Sequence, residues 1–130
     1  MMRLAGLGAV LSLLTLQAAV ADEIRHTAFP GSLLGTWGLS ADLCKANDKS
    51  NVAIAKTTYS DADGACNVQW IVETAGSRGP NYAVHASCSS SSNPSQTSVR
   101  NIIIRPESAD RISIGPTFEA LKIYQRCPAS

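Results

Sequence analysis

His26 and His85 are the chain's only imidazoles, and each would need an acid or a nucleophile at supporting spacing to work as a general base. His85 lies on the polar side of the alternating run NYAVHASC (81–88) with no carboxylate so placed, which predicts a solvated surface histidine. Asp61-Ala-Asp-Gly64 opens like a calcium loop, but its twelfth position is Val72 where a bidentate Glu is required, so it reads as a turn. Glu73 and Glu119 read as isolated surface acids rather than the paired carboxylates of a glycosidase. No Gly-x-Ser-x-Gly elbow and no Gly-rich phosphate loop occurs. The expectation is a protein that binds rather than catalyses, with no metal and no cofactor.

The remaining reactive side chains are Cys44, Cys66, Cys88 and Cys127. They include no Cys-x-x-Cys pair, so zinc is disfavoured, and an even count in an exported chain predicts two disulfides in an oxidising compartment. Export is read from the first 21 residues. Arg3 supplies a basic start, an apolar run covers 4–20, and Ala19-Val20-Ala21 is a small-x-small cleavage site. The run is nearly long enough to span a membrane, but its flanks fit a signal peptide better. Residues 1–21 are therefore expected to be removed, leaving a single domain, 22–130, that is periplasmic or secreted and keeps no stable membrane anchor. The chain has eleven basic and ten acidic residues, scattered along its length. Without a basic stripe, nucleic-acid binding is not expected.

The elements that must position these residues are strands. Period-two runs alternate with turn residues throughout the mature chain, the pattern of an all-β sandwich or barrel. Seven strands are read: 33–40, 51–60, 66–75, 81–88, 97–106, 111–115 and 118–127. Short turns between most of them favour an up-and-down antiparallel meander, while SSSSNPSQ (89–96) reads as a mobile polar loop. A hairpin turn centred near Ser77 sets Trp70 opposite Val84, Val68 opposite Ala86 and Cys66 opposite Cys88. Ile71 alone breaks the alternation of its run. Opposed cysteines satisfy disulfide geometry, so Cys66–Cys88 is expected. In the meander, Cys44 and Cys127 then fall together at the other end and pair with each other. Loop-closure entropy values these bonds at about 3.4 and 4.6 kcal/mol respectively.

Gly35-Thr-Trp37 near the start and Arg126 near the end resemble the calycin superfamily of lipocalins, avidins and small bacterial metalloprotease inhibitors. That resemblance implies a small closed barrel of eight strands, with Gly35 and Trp37 on the first and Arg126 packed across the indole. A wider outline of Gly-Thr-Trp37, Cys44, Cys66-Asn-Val68, Cys88 and Arg126-Cys127 resembles a family of small exported alphaproteobacterial proteins, which implies architecture and compartment but no activity. Seven strands would leave the first and last parallel, with Arg126 far from Gly35. Either another strand lies within 22–32 or 45–50, or the Trp–Arg match is accidental and Trp37 is an ordinary core residue.

Two functional expectations follow. In the metalloprotease inhibitors the arm before the barrel enters the protease cleft. Asp22 to Phe29 matches it in position, with Ile24 and Phe29 as partner-binding residues, against the alternative of a disordered leader. The chain would then be an inhibitor-like module for an envelope or secreted hydrolase. In the second expectation it carries a small hydrophobic ligand in a barrel cavity lined by Val68, Trp70, Tyr82 and Val84.

Overall fold

The computed structural model describes residues 8, 10, 12 and 23–129; the signal peptide read over 1–21 and the cleavage site lie outside the described residues, those three positions aside. Among the described residues nine strands are present: β1 (Glu23–His26), β2 (Gly35–Gly38), β3 (Val52–Ile54), β4 (Thr58–Asp61), β5 (Gly64–Gly76), β6 (Gly79–Ser90), β7 (Thr97–Ser108), β8 (Arg111–Gly115) and β9 (Lys122–Arg126). Strands β2 to β9 pair antiparallel in chain order, and β9 returns to β2, closing an eight-stranded barrel. The added strand, β1, pairs with β5 at residues 71–74, on the same edge that β4 uses at 64–67.

The strand needed for closure comes from neither 22–32 nor 45–50. The run 51–60 folds back on itself as β3 and β4, joined by Ala55, Lys56 and Thr57. That link contains no residue at positive φ, so it needs no Gly or Asn and leaves no turn signal in the sequence. Eight strands make β2 and β9 antiparallel neighbours, with Trp37 opposite Arg126.

The 66–88 hairpin holds the expected register from Cys66–Cys88 to Val68–Ala86. A bulge between Val68 and Trp70 then shifts it by one, pairing Trp70 with His85 and Ile71 with Val84. One extra residue exchanges the two faces of a strand, so Ile71 becomes fully buried and Trp70 turns to the outer wall. The irregular Ile71 was the visible trace of this bulge. At the chain end, Phe118–Ala120 is a 3-10 turn rather than the start of the last strand. Ile123 lies exposed on the outside, on the face of Cys127, while Tyr124 packs against the core.

The lumen is filled by Leu33, Trp37, Val52, Ile71, Ile104 and Ile112, all with 1% or less of their surface exposed. Burying side chains of this size is worth about 1.5–3 kcal/mol each, which is how so small a barrel holds together. Both disulfides form as expected, Cys44–Cys127 with Cα atoms 5.3 Å apart and Cys66–Cys88 at 3.9 Å. Ser40 caps the short helix α1 (Ala41–Lys45) by accepting a hydrogen bond from the Leu43 N–H. The helix lays Cys44 over the outer face of β2. A Cβ on Gly38 would stand 2.7 Å from the Cys44 sulfur and 3.2 Å from that of Cys127, so only glycine fits beneath this bond. The serine-rich loop, read as mobile, is held to the β4–β5 turn: the Ser91 N–H donates to the Asp63 carbonyl and its hydroxyl to that of Ala62.

Candidate functional site

One end of the barrel is plugged. Before β2, the 3-10 turn Gly31–Leu33 drops Leu33 into the lumen, and its carbonyl accepts the Trp37 indole N–H at 3.0 Å. The Arg126 guanidinium lies 4.2 Å from the indole centroid and donates to the carbonyls of Leu34 (2.8 Å), Ser32 (2.7 Å) and Ala109 (3.4 Å). Gly35 has φ +130°, and a Cβ there would lie 3.1 Å from an Arg126 nitrogen. Gly35, Trp37 and Arg126 therefore meet as one structural unit. Their polar atoms are turned inward on the chain and offer nothing to a ligand.

The arm before the plug is ordered as β1. The Arg25 guanidinium stands 5.5 Å from the Trp70 ring, which stacks on His85 at 3.9 Å with the planes 10° apart. His85 Nδ1 in turn lies 3.1 Å from Asn101 Oδ1. His26 Nε2 lies 3.2 Å from Glu73 Oε1, so Glu73 is not the isolated acid its position suggested. Burial, with Glu73 beside it, keeps the Tyr82 phenol above its ordinary pKa. Of the two proposed partner-binding residues, Ile24 is half exposed, but Phe29 is a core residue with 4% of its surface exposed. Its backbone N–H donates to the Lys56 carbonyl at 2.8 Å, so it anchors the arm rather than reaching for a partner. Only its apolar character could be read from the sequence; its destination depends on β3 and β4.

The four residues expected to line a cavity do not do so. Tyr82 and Val84 are core residues, Val68 packs against that core, and the bulge has carried Trp70 to the outer wall. The open volume lies at the other end of the lumen, about 470 Å³ in the barrel mouth. Strand β7 shows the separation: it passes this mouth at Arg100 and ends beside Ala109, whose carbonyl belongs to the plug.

The mouth is built by parity. Asp61 follows buried Tyr59 on the inner side of β4, and Arg100 precedes buried Ile102 and Ile104 on β7. Arg100 holds Asp61 with two nitrogens, at 2.8 and 3.2 Å, and sits 3.7 Å from the Cys66 sulfur and 6.0 Å from the Tyr59 ring centre. Burial alone would raise the Asp61 carboxyl, but the hydrogen bonds and charge of Arg100 outweigh it and hold the group below the usual carboxylate range. Burial beside Asp61 drives the Tyr59 phenol far above its ordinary value. Burial, with Asp61 and Asp63 near, raises the Tyr124 phenol as well. Both phenols stay protonated at neutral pH. The Asp61–Asp63 turn is present as expected, the Asp61 side chain accepting from the Asp63 N–H at 2.9 Å. The ion pair inside it was not anticipated, since its partner lies 39 residues away.

Among the described residues no group of three His, Cys, Asp or Glu side chains could hold a metal ion. Comparison with protein-family models, with curated proteins and with solved structures returns no match.

Proposed function

We propose that this chain is an exported binding module of inhibitor type, with the β1 arm as its working end and a secreted or envelope hydrolase as its partner. The observation that supports this reading is the way the arm is held. Arg25 on Trp70, His26 on Glu73 and Phe29 in the core fix it on the barrel, while Ile24 keeps half of its surface exposed. An apolar side chain on a pre-ordered strand loses little conformational entropy on binding. Two disulfides fit an oxidising, non-cytosolic compartment, and among the described residues no helix is long and apolar enough to cross a membrane. Periplasm or cell exterior is the location we infer. Kinship with the calycins is supported by the stacking of Arg126 on Trp37.

The test is capture from envelope and culture extracts by oxidised 22–130, beside Ile24→Asp and a variant lacking 22–26. These leave Phe29 in the core, which a longer deletion would not. A hydrolase retained stoichiometrically by the parent and lost by both variants is the expected result. Equal retention by all three would remove the arm from the reading.

A second reading, carriage of a small ligand, is favoured by one observation, the open volume in the mouth. A cavity of that size lies within the range of small-molecule sites, roughly 300–1,000 Å³.

A further inference from the structure

We propose that the barrel mouth takes a small molecule with a flat apolar body and an anionic head, the body lying against Tyr59, Tyr124, Ile102 and Ile114 and the head held by Lys122. The inference rests on the carrier reading and specifies the chemistry of its ligand.

The argument is an account of which polar groups in the mouth are already engaged. Arg100 carries the strongest charge there, but both terminal nitrogens face Asp61, and this bidentate pair neutralises itself. Asp63, on the outer lip, is mostly exposed and lies 4.0 Å from the same guanidinium. Lys122 differs: it lines the cavity from β9, and among the described residues it forms no ion pair. Its β9 neighbour on the same side, Tyr124, keeps a protonated hydroxyl with no hydrogen-bond partner among the described side chains. One uncommitted cation and one hydroxyl donor on a single strand, above aromatic and aliphatic walls, match a carboxylate on an apolar ring. A cationic head would find Asp61 already paired with Arg100 and Asp63 turned to solvent on the lip.

Three probes sharing one ring separate the charge from the cavity: indole-3-acetate, indole-3-acetamide and tryptamine. Each is titrated into oxidised 22–130 while the backbone amides of Ile102, Ile114 and Tyr124 are followed by NMR. Indole-3-acetate should bind about tenfold more tightly than the amide, with tryptamine weakest. Lys122→Gln, an exposed position whose change leaves the remaining spectrum in place, should bring the acetate down to the level of the amide. Tyr124→Phe should weaken it by a smaller factor. If the three parent affinities are equal and Lys122→Gln changes nothing, the anionic head is overturned while the carrier reading stands. Tightest binding by tryptamine overturns it in favour of the Asp61–Asp63 side. If no probe moves these amides at millimolar concentration, the inference and the carrier reading fall together.

Discussion

Arg126 and Arg100 stand at opposite ends of one lumen, and the chain uses them differently. Arg126 is engaged by three backbone carbonyls and the face of an indole, with no carboxylate among its partners in the described residues. Its donors join segments from three parts of the chain, the turn before β2, the β7–β8 turn and β9, so this end is sealed. Arg100, on β7, is engaged by side chains alone: Asp61 holds it with both oxygens from β4, three strands round the barrel, with Asp63 4.0 Å away and the Cys66 sulfur at 3.7 Å. An ion pair of that kind ties one side chain to another and draws no backbone segment across the opening. Closure thus depends less on placing a guanidinium at a barrel end than on whether its partners are backbone carbonyls of segments laid over that end.

The largest effect should come from the plug. Trp37→Ala removes its central side chain and should cost about 3–5 kcal/mol in denaturant unfolding. Arg126→Met keeps an apolar cover on the indole but leaves three carbonyls without their donor, and should cost about 2–3 kcal/mol. At the mouth, Asp61→Asn weakens a half-buried pair and should cost about 1–2 kcal/mol. If Arg126→Met proved no more costly than Asp61→Asn, the contrast between the two ends would fail.

Acid sharpens the same comparison. The Asp61 carboxyl is held below its ordinary value in the folded chain. Its stabilisation is therefore complete above about pH 4 and lost as the pH falls through the folded-state value. The gap between parent and Asp61→Asn should shrink on that acid limb, whereas the Arg126→Met gap has no carboxylate to titrate and should persist. Smallest of all, Lys122→Gln should change stability by less than about 0.5 kcal/mol, because the side chain is exposed and forms no ion pair among the described residues.

How far these ends were legible depends on how locally each was built. Cys66 opposite Cys88 follows from one hairpin and the alternation of two runs, and the structure keeps it. Past Val68 the same arithmetic fails, because a bulge is invisible to strict period two and Ile71 was its only sign. The β3–β4 turn passed unread because Ala55, Lys56 and Thr57 are ordinary residues in ordinary conformations. Phe29 near Ile24 looked like a second contact residue, but it is buried in the core and its backbone is tied to Lys56, 27 positions further on.

The sequence by itself determined the all-β class, the two cysteine pairings and the meander, since each rests on residue type, alternation and short turns. Tertiary structure decided the strand count, the inner or outer face of Trp70, the fate of the arm and the place of the cavity. The physical reason lies in closure. Once β9 meets β2, every inward side chain competes for one small lumen, and the plug of Leu33, Trp37 and Arg126 fills one end and leaves the space at the other.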